Sequence, residues 1–283
     1  MKKFTLIVLL FVSCLLAEAQ VQIPAPSPAG SVSAVVGLTD VKIDYSRPRI
    51  KGRTIFGSDD KAVVPFGKIW RTGANAGTKI SFSDDVKVEG IAVPKGEYLL
   101  LTWPGATEWT VVLYKDVKLG GNVNGYDQAQ DAANFKVKPG KLTEKVETFT
   151  INIGDISDDS KSAKVQLAWE NTSVKFTVST DYEAKVLKSI ETYTKVEPYN
   201  YFQAAVYYLE NGKDLNQALT WINQAAEGMN SPFWVLYQKA RIQKALGDKK
   251  GAVETSTASL AKAKEAKNRD YENMNNDLIK SLK

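Results

Sequence analysis

Between Ser31 and Thr180 apolar and polar residues alternate in short runs. The alternation is clearest in Val86-Lys87-Val88-Glu89 and in Val174-Lys175-Phe176-Thr177-Val178, where every second side chain is apolar. A period of two belongs to strands with one buried and one wet face. Strands are predicted at Ser31–Val36, Asp40–Tyr45, Thr78–Ser83, Val86–Glu89, Glu97–Trp103, Trp109–Lys115, Glu147–Ile153, Ala163–Trp169 and Val174–Thr180. Turn signals separate them at Asp84-Asp85, Pro94-Lys95-Gly96, Pro104-Gly105, Gly120-Gly121, Pro139-Gly140 and Asn171-Thr172. Short strands without intervening helices predict an all-β N-terminal domain over residues 31–180, an antiparallel sandwich or barrel. The last two strands are expected to pair as its closing hairpin.

From residue 181 onward the pattern changes. Ala, Leu, Gln and Lys replace Val and Thr, and proline is confined to Pro198 and Pro232, each just ahead of an aromatic-rich helical start. Ala184, Ala218 and Ala252 lie 34 residues apart, as do Phe202 and Leu236, and Val206 and Ala240. Glycine-containing breaks (Asn211-Gly212-Lys213-Asp214 and Leu246-Gly247-Asp248) precede two of those alanines. This is the period of tetratricopeptide repeats. It predicts an all-α C-terminal domain of tetratricopeptide-like helical hairpins over 181–283, with hairpins at 199–227 and 231–267 and flanking helices near 182–195 and 269–282. Ser256 stands where such a repeat usually has a large aromatic. The helices either dock a protein partner or pack as an appendage.

Composition adds an address. Lys2 and Lys3, an apolar run from Phe4 to Leu16 and the Ala17-Glu18-Ala19 cleavage pattern form a secretory signal peptide over residues 1–19, followed by an extended lead-in over 20–30. The expected location is periplasmic or secreted, with cleavage near Ala19/Gln20 favoured over lipidation at Cys14. Cleavage removes the chain's single cysteine, and there is no histidine. Ser-His-Asp and Cys-His nucleophile pairs and His-ligated metal sites are thereby excluded, leaving Asp, Glu, Tyr or Lys for any acid–base step. No cofactor and no metal are expected. The net charge of +5 is spread over both halves rather than gathered on one module, which argues against nucleic-acid binding.

One segment stands apart from the alternation. From Tyr45 to Asn75 four cations (Arg47, Arg49, Lys51, Arg53) fall within seven residues, and Lys68 and Arg71 follow after a spacer. Tyr45, Phe56, Phe66 and Trp70 are interleaved, and glycines and prolines imply a sharply shaped backbone. Tyr45, Arg47, Lys51, Arg53, Trp70, Arg71 and Asn75 are the candidate ligand-binding residues. Guanidinium forks and a lysine suit an anion or a peptide carboxylate, and the rings suit a sugar-like ligand. Two alternatives stand beside this. Arg47 pairs with Asp44, Asp59 or Asp60 and Trp70 is core, in a purely structural envelope scaffold. Otherwise Tyr45 or a carboxylate acts as acid–base group, with Arg47 and Arg71 as stabilisers, in a histidine-free hydrolase or lyase.

The words Tyr45-Ser-Arg-Pro48, Lys51-Gly-Arg53, Ile55-Phe-Gly57, Pro65-Phe-Gly-Lys-Ile-Trp-Arg-Thr-Gly-Ala-Asn75 and Pro94-Lys-Gly-Glu-Tyr98 resemble the signature of exported bacterial proteins known only as a domain of unknown function. The resemblance spans about residues 28–180. It implies a β-rich domain after a signal peptide, sometimes followed by helical repeats, and implies no activity. That family commonly has an acid after the final Asn, where this chain has Ala76, which weakens any catalytic role for such a carboxylate.

Three further patterns are bland. Asp155, Asp158 and Asp159 lack calcium-loop spacing and are expected at a solvated hairpin tip. Gly120–Tyr126 opens no helix and is expected to be a flexible loop bordering the site. Asn171-Thr172-Ser173 fits a glycosylation sequon but is simpler as a hairpin turn.

Overall fold

The computed structural model describes residues 23–194 and 197–283. The expected leader, residues 1–19, lies outside them. The chain forms two compact units that divide between Asp181 and Tyr182, β-rich before and helical after.

The β unit contains β1 (Ala29–Val36), β2 (Thr39–Ser46), β3 (Phe56–Gly57), β4 (Val64–Pro65), β5 (Thr78–Phe82), β6 (Val86–Val88), β7 (Ile91–Val93), β8 (Gly96–Trp103), β9 (Trp109–Tyr114), β10 (Asp131–Val137), β11 (Gly140–Gly154) and β12 (Ser162–Ser179). A six-stranded antiparallel sheet runs β1-β2-β5-β8-β9-β10, and a second runs β11-β12-β6-β7. Their inward residues, among them Ile43, Ile80, Leu100, Val111, Leu167 and Phe176, form one continuous core. The predicted alternation is visible in β2, where Thr39, Val41, Ile43 and Tyr45 are buried and their neighbours are not.

β12 is extended throughout but not straight. The Thr180 amide donates to the Lys161 carbonyl at 2.8 Å, so the residues flanking its two ends touch. The chain therefore doubles back at Glu170 (φ 55) and Asn171. Burial changes phase at that point, from Ala163, Val165, Leu167 and Trp169 to Val174, Phe176 and Val178, as a two-residue reversal requires. The predicted closing hairpin is present.

Other expectations need correction. β7 and β10 were not foreseen, and β11 begins at Gly140 rather than near Glu147. Gly120–Tyr126 is not a loose loop. Three short 3-10 turns, each capped by Asp116, Asn122 or Asp127, lay Leu119, Val123 and Tyr126 over Leu99, Leu101, Val112 and Tyr114 on the outer face of β8 and β9. β8 is consequently buried on both sides. The Tyr126 hydroxyl donates to Asp131 at 3.0 Å, and burial followed by that carboxylate pushes its phenol well above the usual value.

The helical unit contains α1 (Glu183–Tyr193), α2 (Pro198–Glu210), α3 (Leu215–Gly228), α4 (Phe233–Ala245), α5 (Lys249–Glu265) and α6 (Arg269–Lys280). Side chains of Asp214, Asp248 and Asn268 cap α3, α5 and α6. The small repeat residues Ala218, Ala240 and Ala252 are fully buried where helices cross. Ser256 is explained by its neighbour. Its hydroxyl donates to Asn275 Oδ1 at 2.8 Å, and Asn275 Nδ2 donates to Ser259 Oγ at 2.9 Å, a buried polar wedge between α5 and α6. No helix among the described residues is long and apolar enough to cross a membrane.

Candidate ligand-binding site

The segment from Tyr45 to Asn75 is built on stacked rings. Trp70 lies on Trp169 with ring centroids 5.8 Å apart and planes 18° from parallel, and Phe56, Trp109 and Phe149 close around the pair edge-on. Trp70 is 8% exposed, so its ring belongs to the core. Its Nε1 donates to the Gly73 carbonyl at 3.0 Å, which folds the following turn back over the indole. That turn holds Thr72 at φ 53 with none of its surface exposed. A β-branched residue in the left-handed region is strained, and only surrounding bonds keep it there. Thr72 and Thr102 share a hydroxyl contact at 3.0 Å, and the Thr78 hydroxyl donates to the Thr72 carbonyl.

Before the turn, the chain changes sheets. β2 ends at Ser46, and residues 48–50 then pair along β11: the Phe149 amide donates to the Pro48 carbonyl and the Ile50 amide to the Glu147 carbonyl, each at 2.9 Å. Tyr45 is buried at this corner. Its hydroxyl accepts from the Ile151 amide at 3.0 Å and donates to the Ile151 carbonyl at 3.4 Å. Arg47 reaches β11 as well, with Nε to the Phe149 carbonyl at 3.4 Å and Nη2 to Thr150 Oγ1 at 3.1 Å. Arg53 turns back on its own segment and donates to the Ile50 and Arg49 carbonyls at 3.1 and 2.6 Å. Lys51, at φ 49, donates its backbone amide to Glu147 at 3.0 Å. Arg71 Nη1 donates to the Asn75 carbonyl at 3.1 Å, and Asn75 Nδ2 donates to Ser46 Oγ at 3.1 Å.

One of the seven expected residues, Tyr45, lines a hollow of about 460 Å³ whose walls also include Gly30, Asp44, Ser46, Gly77 and Lys79, and three more lie beside residues of that wall. Arg47 lies against Gly30, where an added Cβ would be 2.8 Å from its Cδ, and the base of the Arg71 side chain flanks Gly77, where an added Cβ would be 3.6 Å from the Arg71 Cβ. Asn75 is tied to the lining Ser46. Arg47, Arg71 and Asn75 stand behind that wall rather than in it, and Lys51, Arg53 and Trp70 do not line it either.

The electrostatics follow from which partners are carbonyls. Asp44, Asp59 and Asp60 do not pair with Arg47. Asp44 is held by Lys42 at 2.8 Å, and that bond, ahead of its other contacts, keeps its carboxyl below the usual range. Among the described residues no ion pair includes Arg47, Arg49, Arg53 or Arg71. A carbonyl satisfies a guanidinium donor without cancelling its charge, so the segment stays cationic. Two of the three acids expected at a solvated tip are engaged there: Asp155 binds Lys175 at 2.8 Å, and Asp159 accepts from Ser157 and from the Lys161 amide.

A second hollow of about 310 Å³ lies where four turns meet, and none of the seven expected site residues lines it, although Phe56 and Phe66 in its wall belong to the same segment. Its wall includes Trp109, Lys141, Asn171 and Thr172. The available signal was the turn chemistry at Pro139-Gly140 and Asn171-Thr172, since sandwich turns gather at its ends.

No curated protein and no solved structure matches the chain. The family model described as a protein of unknown function (DUF2911) matches residues 27–178, more than half of the chain and nearly the whole β unit. The chain belongs to that family.

Proposed function

We propose that this is an exported binding protein whose β domain holds a small anionic ligand in the hollow flanked by Tyr45, Arg47, Arg71 and Asn75. One observation carries the proposal: the arginines of this segment have no carboxylate partner among the described residues. Among the described residues Arg71 is engaged through Nη1 alone, which leaves donors for a carboxylate or a sulfate. Binding is favoured over catalysis because the Tyr45 hydroxyl is engaged on both sides by Ile151 and is not free to move a proton. The leader over residues 1–19 supports export, with mature protein starting at Gln20.

The helical unit is the proposed partner-docking element. A groove of about 620 Å³ between α2, α4 and α6, lined by Leu209, Tyr237, Arg241, Met274 and Leu278, supports that role. A purely structural role for the β domain draws on the carbonyl bonds of Arg47 and Arg53, which stitch the corner whether or not a ligand binds.

Calorimetry and thermal-shift screening against acidic glycans and organic acids separate these roles. The wild type is expected to respond and Arg71→Ala to lose the response. A silent wild type, or an equal response from the variant, leaves the structural role alone.

A further inference from the structure

The smaller hollow differs in chemistry from the one that Tyr45 lines. Its rings come from two turns brought together by long-range pairing. Phe56 in β3 pairs with Val64 in β4, the Phe66 amide donates to the Gly57 carbonyl at 2.8 Å, and the Gly67 amide donates to the Pro104 carbonyl at 2.8 Å. Phe56 and Phe66 are both half-buried, and Trp109 lies at the base, 2% exposed and 5.0 Å from the Phe56 ring. Gly105 holds the β8–β9 turn against this wall, because an added Cβ would sit 2.4 Å from the Glu108 carbonyl oxygen. The polar side comes from elsewhere. Lys141 in β11 is in register with Thr172, which places both beside Asn171 at the tip of β12. Among the described residues the side chains of Lys141, Asn171 and Thr172 make no hydrogen bond or ion pair. No acid lines the hollow.

We propose that this hollow is a carbohydrate site, separate from the anion site. A sugar ring has an apolar face of C–H groups and an edge of hydroxyls. The first matches Phe56 and Phe66, and the second matches an amide that both donates and accepts, a hydroxyl and an ammonium. A wholly apolar ligand would bury Asn171 and Thr172 without partners. A bare phosphate would leave the rings idle and would find a single cation. The volume, at the small end for ligand pockets, fits one or two rings.

The test uses the full chain, with calorimetry and tryptophan fluorescence against glucose, N-acetylglucosamine, cellobiose and glucuronic acid. At least one sugar is expected to bind more tightly than about 1 mM. Asn171→Ala combined with Thr172→Val, the first exposed and the second half-buried, is expected to weaken it at least about tenfold with an unchanged melting temperature. Phe66→Ala is expected to do the same, whereas Arg71→Ala retains binding. The proposal is overturned if no sugar in the panel binds, if the double variant binds as well as wild type, or if Arg71→Ala abolishes sugar binding. The last outcome would place the sugar in the hollow beside Tyr45. Loss of the acidic-ligand response in Arg71→Ala tests the other site independently.

Discussion

The two hollows of the β domain are walled by residues of one segment, yet their polar groups are in opposite states. Around the larger hollow, Tyr45, Arg47, Arg71 and Asn75 are already bonded to backbone or to Ser46, so their positions are set before anything arrives. Around the smaller one, the side chains of Lys141, Asn171 and Thr172 have no partner among the described residues, while the rings beside them are fixed by packing. A bonded arginine loses little freedom on binding an anion and keeps its charge. An unbonded amide has all its hydrogen bonds available but must be ordered by the ligand. The difference predicts tighter orientation at the first site and more adaptable recognition at the second.

The comparison breaks most completely at the ring stack beneath both. Trp70 touches Phe56, which walls the aromatic hollow, and Phe149, whose carbonyl accepts from Arg47. Trp70→Ala is expected to cost about 3–5 kcal/mol in urea unfolding and to remove both ligand responses. A loss below about 1 kcal/mol would mean that the stack does not organise the segment.

A narrower change should separate the sites. An added Cβ at Gly121 would sit 1.9 Å from the Asn75 carbonyl oxygen and 2.8 Å from Arg71 Nη1. Gly121→Ala is therefore expected to displace Arg71 at a cost of about 1–3 kcal/mol. The acidic-ligand response should disappear while sugar binding at Asn171 and Thr172 persists. Equal loss of both would show that the hollows are not independent.

Much of this organisation was legible in the residues. The 34-residue spacing of the alanines located the helical hairpins, and the apolar runs flanking Asn171-Thr172 located the closing hairpin. β10 was hidden because Asp131-Ala132-Ala133-Asn134 lacks the β-branched residues that mark strands, and only pairing with β9 makes it one. Ser256 looked like a defect in a repeat until Asn275 supplied its partner. The words YSRP and WRTGAN set this segment apart from the strands around it, but no local rule says which way Arg53 turns. Lys141 and Asn171 meet only because β11 and β12 pair in one register, and such pairing is invisible to a sequence read along its length.

Acid supplies the smallest and most selective test of the contrast. Asp44 lines the hollow beside Tyr45, and its bond to Lys42 lowers its folded-state pKa. A depressed carboxylate pKa contributes stability above the unfolded value, near pH 4, and the contribution is lost as pH falls through the folded value. The Asp44 side chain is 46% exposed in that pair, so the loss is expected to be a few tenths of a kcal/mol, and Asp44→Asn should flatten it. Binding moves the other way. Protonating Asp44 removes the negative charge from a hollow proposed to take anions, so a sulfated sugar, which stays ionised in acid, should bind more tightly as pH falls through the lowered folded-state value of Asp44. Asp44→Asn should bind it equally well at pH 7 and in acid. Sugar affinity at the aromatic hollow, which no carboxylate lines, should stay flat over the same range. A sulfated ligand whose affinity falls with acid in the wild type would place it away from Asp44, and the hollow beside Tyr45 would lose its assignment.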